Sequence, residues 1–177
     1  PQRRPDGSRL PPGVGGFEEQ SRFNEQNNNR PARGSQIAAV RVWLITIGEP
    51  LPTDSKSPRL LRTGLLGQAL AQRGHDVLWW SSSFDHTKKR QRSEGNAVLP
   101  LGENYRLHLL RGRDYERNVS LARLANHREV AAEFRKLAPQ EPTPDVILCS
   151  FPTIELSAAA TEYGQKNNVP VVLDVRD

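Results

Sequence analysis

The chain has 177 residues, of which 36% are hydrophobic, 25% charged and 6% aromatic, and its formal net charge at pH 7 is +5. This length suffices for one domain with a buried core or for part of a larger protein, while the single cysteine, Cys149, excludes an intrachain disulfide. No run approaches the roughly 20 apolar residues of a membrane span. We therefore expect a cytoplasmic protein, with peripheral attachment to the inner face of the membrane as the open alternative.

The two ends of the chain differ from its middle. Residues 1–36 are rich in Pro, Gly, Arg, Gln and Asn and show almost no apolar periodicity, which is typical of a disordered or tail segment. The chain starts on Pro1, contains no methionine and stops at Asp177, directly after an apolar run. We expect a tail at 1–36, a domain at 37–177 and a fragment of a longer protein.

The domain begins with a β-loop-α unit. Residues 37–47 are nearly continuously apolar, which predicts a strand buried on both faces. Gly48 then permits a tight turn and a close approach of the backbone to a phosphate or sugar. We expect Pro58 in the first turn of the next helix and Gly74 at its carboxyl end. Helical spacing predicts one buried stripe formed by Leu61, Leu65 and Ala69, with Leu66 and Leu70 beside them.

The remaining segments continue the alternation of strand and helix. Strands are predicted at 76–81, 98–101, 105–110, 145–150 and 169–175, and helices at 118–138 and after Thr153. The order predicts an α/β fold, Rossmann-like, with a mainly parallel sheet and helices on both faces. Alternation in 105–110 predicts a solvated face near the sheet edge, and the basic segment 87–95 is interpreted as a mobile, solvated loop in preference to an anion site.

Several well-known site motifs are absent from the sequence. No G-x-G-x-x-G, G-x-x-x-x-G-K-[ST] or G-x-S-x-G pattern occurs, which disfavours a nicotinamide dehydrogenase, a phosphate-loop hydrolase and a nucleophile-elbow hydrolase. The four histidines do not stand at metal-ligand spacing, so we expect no metal and no other cofactor. Because such sheets bind ligands outside the carboxyl ends of their strands, the residues alone indicate a phosphate- or sugar-binding domain.

Four motifs in order resemble the amino-terminal domain of the retaining glycosyltransferases of family 4. They are Pro58-Arg-Leu-Leu-Arg62, Gln72-Arg-Gly-His-Asp-Val77, Ser82-Ser-Phe-Asp-His86 and Val172-Leu-Asp-Val-Arg-Asp177. The third motif resembles more narrowly the subgroup that assembles O-antigen and capsular polysaccharide. The resemblance covers about residues 40–177 and implies one half of the two-domain GT-B architecture. In that architecture this half mainly binds the acceptor and the other half grips the nucleotide-sugar, so the fragment alone is expected to be inactive.

The resemblance implies a hexosyltransferase that moves a sugar, with retention, from a nucleotide-sugar donor to a glycan or a polyprenyl-linked acceptor. No protein nucleophile is needed, so no catalytic residue is assigned. By position we predict that Gly48 approaches the donor phosphates or the sugar, and that Arg59 and Arg62 meet phosphates. The other predicted substrate-binding residues contact the acceptor or support that contact, and they are Glu49, His86, Arg176 and Asp177.

Two other functions stay open. One is a nucleotide-sugar epimerase of the same two-domain architecture. The other is a non-catalytic basic module that binds nucleic acid, for which the low aromatic content gives no support. We expect no nucleic-acid partner, and we interpret the basic residues 88–92 as suited to an anionic membrane surface.

Overall fold

A computed structural model describes residues 38–117 and 119–175 of the chain. The chain divides into two units at residue 38, and the predicted tail at 1–36 lies outside the described residues. The described strands are β1 (Arg41–Ile45), β2 (Asp76–Ser82), β3 (Phe84–Asp85), β4 (Arg90–Gln91), β5 (Ala97–Gly102), β6 (Tyr105–Leu110), β7 (Val146–Phe151) and β8 (Val171–Val175). The described α-helices are α1 (Arg62–Gln72), α2 (Leu121–Leu137) and α3 (Ile154–Asn167).

Six strands form one sheet in the order β5-β6-β2-β1-β7-β8. All neighbours in it are parallel except β5, which pairs antiparallel with β6 at the edge. The predicted mainly parallel, Rossmann-like sheet is therefore confirmed. The chain winds outward from β1 to β2 and β6, then returns to the other side of β1 at β7. The carboxyl ends of β1 and β7 thus form the switch point at which ligands of such sheets bind.

Helices cover both faces of the sheet, as predicted. Helix α1 packs through its partly buried apolar residues on the face that holds Leu44 and Trp79. Helices α2 and α3 pack on the opposite face, over Trp43 and Trp80. On that face Phe134 of α2 meets both tryptophans edge-on, with ring centroids 6.2 and 5.1 Å apart. The two apolar layers hold the helices against the sheet and thereby position the loops at its carboxyl edge.

The buried side of α1 follows the predicted stripe only in part: Leu66 and Leu70 pack against the core. Leu61 and Leu65 are 42% and 57% exposed, and the residues of α1 that are buried are Thr63, Gly64 and Gly67. A Cβ at Gly67 would overlap the hydroxyl of Tyr105 and reach a methyl group of Leu44 at 3.2 Å. Small residues therefore let this helix lie close to the sheet, and Leu61 and Leu65 lie on its outer side.

The structure contradicts the prediction for one end of α1 and confirms it for the other. The helix begins at Arg62 with Leu61 as its N-cap, so the prediction that Pro58 occupies its first turn is wrong. Arg73 is the C-cap and Gly74 follows with a φ of 85°. The predicted left-handed glycine at the carboxyl end is confirmed.

Strand β6 lies next to the edge strand β5, near the sheet edge as predicted, but its residues are buried or half-buried, so the predicted solvated face is wrong. Its alternate residues are covered on the α2 side. The His108 ring stacks on Trp80 with centroids 4.4 Å apart, and Arg106 pairs with Glu141 at 2.9 Å. The alternating exposure belongs instead to the edge strand β5.

Candidate functional site

A cavity of about 110 Å³ opens at the switch point of the sheet. Ile47 and Gly48 bring the end of β1 to it, and Pro152 and Thr153 bring the turn between β7 and α3. Gly48 has a φ of 92°, a conformation that glycine adopts without steric cost. A Cβ there would stand 3.6 Å from Cε1 of His86, an ordinary contact. The backbone conformation, and not lack of space, is what requires glycine.

Helix α2 supplies three of the polar side chains that line the cavity, Arg123, Asn126 and His127. Ser120 is the N-cap of this helix, and its hydroxyl accepts a hydrogen bond from Arg123 N at 3.2 Å. Residues three and four apart share a helix face, so this start places the three side chains side by side. Asn126 Nδ2 also donates to the carbonyl oxygen of Arg113 at 2.6 Å, which ties the helix to the preceding loop.

The surroundings of the two cavity histidines favour the neutral form of each imidazole. Burial, reinforced by the nearby Lys89 ammonium, lowers the pKa of His86. Burial, reinforced by the Arg123 guanidinium, lowers the pKa of His127. His127 Nδ1 stands 3.9 Å from Glu155 Oε2, which is beyond hydrogen-bond distance. Each ring can then accept a hydrogen bond at one nitrogen and donate one from the other.

Glu49, a predicted substrate-binding residue, is only 6% exposed. Its carboxylate accepts hydrogen bonds from Thr63 N at 3.1 Å and from Thr63 Oγ1 at 2.9 Å. Because Thr63 is the second residue of α1, Glu49 satisfies an N–H that the helix itself leaves unpaired. Thr63 Oγ1 lies 2.9 Å from Thr46 Oγ1, which lies 3.0 Å from Ser150 Oγ. We name these four residues the Glu49 network; it joins β1, α1 and β7.

The loop after β1 is held by a second polar cluster. Arg92 binds both carboxylate oxygens of Asp54, at 2.6 and 2.8 Å, and approaches Asp85 Oδ2 at 3.5 Å. Its side chain is 11% exposed, so the interpretation of 87–95 as a solvated loop is wrong for this residue. Burial acts to raise the pKa of Asp54, but the hydrogen bonds from Arg92 and from Leu51 N hold it below its usual value.

This Arg92 cluster also positions His86. Asp85 Oδ1 accepts hydrogen bonds from the backbone N–H groups of Thr87 and Lys88, each at 3.0 Å. The turn that carries His86 is therefore fixed on both sides. A second cavity of about 170 Å³ lies between this turn and the loop after β1, and Gly48, Glu49 and His86 border it.

The other predicted site residues lie elsewhere. Arg62 pairs with Asp174 at 2.7 Å and its side chain is 66% exposed; Arg59 is exposed. Neither residue lines the two cavities. Arg176 and Asp177 lie outside the described residues. Of the predicted residues, the structure thus brings together Gly48 and His86, with Glu49 at the border.

The lining residues that were not predicted from the sequence include Tyr115, Arg123, Asn126 and His127. Helix periodicity alone carries no sign of a cavity. The usable signal was Ser120, because an N-cap there places the following turn at the carboxyl edge of a parallel sheet.

No protein-family model and no curated protein matches the chain. Two solved structures of the C-terminal domain of a hydrogenase from Pyrococcus furiosus are similar to it at 16% and 14% sequence identity. Each comparison covers 76% of this chain and 91% of the other, with a TM-score of 0.41.

Two further properties of the described residues bear on the site. Within 38–117 and 119–175, no helix has the length and apolar character needed to cross a membrane. In the same residues no three His, Cys, Asp or Glu side chains are grouped so that they could hold a metal ion. Cys149 is fully buried, and burial raises the pKa of its thiol.

Proposed function

We propose that this chain is the acceptor-side half of a retaining glycosyltransferase of the GT-B type, related to the family 4 enzymes of O-antigen and capsular polysaccharide assembly. The observation that carries the proposal is the cavity at the switch point, bordered by Gly48 and by a neutral His86. A Rossmann-like sheet that presents such a cavity is the form expected of one half of a two-domain transferase. The four motifs that resemble the family run through the same unit, from Pro58 to Asp177.

The chemistry proposed for this half is positioning. In the family that the chain resembles, the departing diphosphate of the donor takes the proton of the acceptor, so no base or nucleophile from the protein is required. The protein holds the acceptor hydroxyl against the sugar and stabilises the developing charge. His86 would accept a hydrogen bond from that hydroxyl, and the left-handed turn at Gly48 would let the backbone approach the sugar closely. The other half of the enzyme would hold the nucleotide.

The proposed partners follow from this division. They are a nucleotide-sugar donor and a glycan or polyprenyl-linked acceptor, met at the cytoplasmic face of the membrane. No metal and no other cofactor enters the proposal. The epimerase of the same architecture remains the second candidate, since it would use the same kind of cleft without making a glycosidic bond.

The test is a transfer assay on the complete protein that carries this unit. We expect release of nucleoside diphosphate that depends on both a nucleotide-sugar and a lipid-linked acceptor, with the anomeric configuration of the sugar retained in the product. His86→Ala should raise the acceptor KM about tenfold, the usual effect of losing one hydrogen bond to substrate, and leave the donor KM unchanged. Arg73→Ala, at the far end of α1, is the matched control and should change neither constant.

Three outcomes would contradict the proposal. The first is no diphosphate release with any pairing of donor and acceptor. The second is conversion of the donor sugar to its epimer without an acceptor, which would establish the epimerase. The third is strongly salt-dependent binding of DNA or RNA by a protein without transferase activity, which would favour the basic binding module.

A further inference from the structure

We infer that the first turns of α2 and α3 form a surface that docks on an anionic lipid bilayer. Val119, Leu121 and Ile154, which we name the aliphatic rim, would enter the apolar boundary of the bilayer, while the basic turn between β3 and β4 contacts the head groups. The basic residues 88–92 alone suggested a membrane surface from the sequence. The structure adds the rim, its place beside the cavity and its contrast with the rest of the described surface.

The aliphatic rim is unusually exposed. Val119 and Leu121 are 94% and 84% exposed, more than any other large hydrophobic residue in 38–117 and 119–175, and Ile154 is 65% exposed. Single exposed hydrophobic residues are normal on a protein surface and need no explanation. Three of them at the starts of two adjacent helices are a concentration of apolar surface, which is typical of an interaction site.

The start of α2 keeps its two aliphatic residues outside the core. Ser120 is the N-cap, so Val119 precedes the cap and Leu121 is the first helical residue. A hydrophobic residue before the cap commonly packs against the fourth helical residue, which here is Leu124. Val119 nevertheless remains 94% exposed and Leu124 36%. The sheet-facing side of the helix belongs instead to Val130 and Phe134, so neither rim residue of α2 takes part in the core.

The rim residues lie at one edge of the sheet. Arg123 and His127 of α2 line the switch-point cavity together with Thr153, the N-cap of α3. His127 also stands 3.9 Å from Glu155, which directly follows Ile154. The first turns of the two helices are therefore neighbours at the carboxyl edge, and their exposed aliphatic side chains belong to one surface.

Basic residues stand beside the rim. Lys88, Lys89 and Arg90 follow one another at the turn between β3 and β4, and Lys88 and Arg90 are exposed. Lys89 Nζ lies 4.8 Å from the centroid of the Tyr115 ring, and Tyr115 lines the same cavity as Arg123 of α2. The basic turn thus adjoins the start of α2. Lysine and arginine close to an anionic bilayer are attracted to its negative surface potential.

This combination fits a bilayer better than it fits a folded protein partner. The centre of a protein interface is enriched in aromatic residues and depleted in charged ones. A contact with a membrane surface instead combines protruding apolar residues with Lys and Arg. At this edge the aromatic rings of Phe84 and Tyr115 are buried, and the exposed groups are aliphatic or basic. Docking would place the switch-point cavity at the bilayer surface; delivery of a lipid-linked acceptor to it rests on the proposed function, whereas docking does not.

The direct test is co-sedimentation of the 177-residue chain with vesicles of phosphatidylcholine and phosphatidylglycerol, compared with phosphatidylcholine alone. We expect binding to the anionic vesicles that weakens as salt is added. Leu121→Ser should weaken it at least about tenfold, because an aliphatic side chain no longer leaves water on docking. Leu173→Ser, on a leucine that is 46% exposed in the middle of β8, is the matched control and should stay within about twofold of the unmodified chain.

Two further measurements separate the charged from the apolar contact. Lys88→Gln should weaken binding about fivefold, the effect of one cation near an anionic surface. Lys166→Gln, an exposed lysine near the other end of α3, should leave binding within about twofold. A polarity-sensitive fluorophore on Leu121→Cys should shift its emission to the blue on anionic vesicles, and the buried Cys149 leaves the new thiol as the accessible one.

Several results would overturn the docking surface. They are no binding to anionic vesicles, or equal loss in the Leu121 and Leu173 variants while both retain the circular dichroism of the fold. Binding that depends on Lys88 but not on Leu121 would show adsorption by charge without apolar contact. Vesicle binding by the 177-residue chain but not by the complete protein would show that another part of that protein covers the rim.

The docking surface and the proposed function can fail separately. If vesicles bind through Leu121 but the complete protein transfers no sugar, the proposed function fails and the surface stands. If the complete protein transfers sugar to a lipid-linked acceptor in vesicles, and Leu121→Ser changes neither vesicle binding nor the acceptor KM, the surface fails and the function stands.

Discussion

Two polar regions flank the end of β1, and they differ in the kinds of side chain that they bring together. In the Glu49 network, the carboxylate meets Thr63, and a chain of hydroxyls continues to Ser150. On the other side of Gly48, the cavity gathers a guanidinium and two imidazoles with no acidic residue in its lining. Both regions lie at the edge where ligands of such sheets bind. Position alone therefore does not distinguish a residue that binds ligand from one that supports the fold.

The arginines repeat this contrast. Arg92 has two aspartates of its own chain within reach, so its charge is neutralised by the protein. Arg123 lines the cavity beside His86, His127 and Tyr115. Arg92 is thus held within its own cluster, whereas Arg123 borders the cavity at the switch point. Substitutions in the two regions test this comparison.

The largest expected effect is on the Arg92 cluster. Arg92→Ala should lower the free energy of unfolding by about 3 kcal/mol, because it leaves a mostly buried Asp54 without its bidentate partner. Arg90→Ala, on an exposed neighbour, should cost less than about 0.5 kcal/mol. Urea denaturation of the two variants, followed by circular dichroism, measures the difference.

A double-mutant cycle identifies the cause of that loss. Asp54→Ala combined with Arg92→Ala should cost clearly less than the sum of the two single changes, since the second change removes the charge that the first left unpaired. Additive losses would show that the cluster contributes through packing alone.

A smaller effect is expected in the Glu49 network. Glu49→Ala should lower the free energy of unfolding by about 2 kcal/mol, because it uncaps α1 and removes the carboxylate that accepts from Thr63 N and Thr63 Oγ1. Glu94→Ala, at an exposed position, is the control and should be within about 0.5 kcal/mol of the unmodified chain. Thermal and urea unfolding report the change.

The same variant decides between two roles for Glu49. The sequence predicted contact with substrate, whereas the structure gives the carboxylate a structural partner. A variant that keeps its stability but raises the acceptor KM in the complete protein would establish the predicted contact and refute the capping role. Loss of stability with an unchanged KM would establish the opposite.

The sequence predicted the fold well because strands of a parallel sheet are apolar on both sides, and such runs are visible without knowledge of their neighbours. The buried side of α1 was not predictable in the same way. Gly64 and Gly67 are buried because small residues permit close packing, and hydrophobic periodicity gives glycine no weight. The error at β6 has a similar origin, since Arg106 is covered by Glu141, a partner 35 positions away.

The site was predictable in part for related reasons. Gly48 and His86 follow strands directly, so strand prediction located them. Arg123 and His127 required the start of α2 at Ser120, together with the rotation of that helix about its axis. That rotation is fixed by the packing of Val130 and Phe134 on the sheet, which is long-range information.

The smallest expected effect is a dependence on pH that separates the cavity from the core. Burial lowers the pKa of His86, His127 and His108 in the folded chain. Above pH of about 6.5 these side chains are neutral in both states and contribute nothing. As the pH falls below that value, the unfolded chain takes up protons first, so the free energy of unfolding decreases toward the depressed pKa values.

Proton NMR of the histidine rings during a pH titration measures the three pKa values directly. All three rings should titrate below the ordinary pKa of a free imidazole, because burial disfavours their charged forms. His108 is stacked on Trp80 and faces Glu141 at 3.7 Å, away from the cavity lining, so its pKa reports on the core, whereas those of His86 and His127 report on the cavity. A ring that titrates at or above the ordinary value would contradict the burial of that side chain.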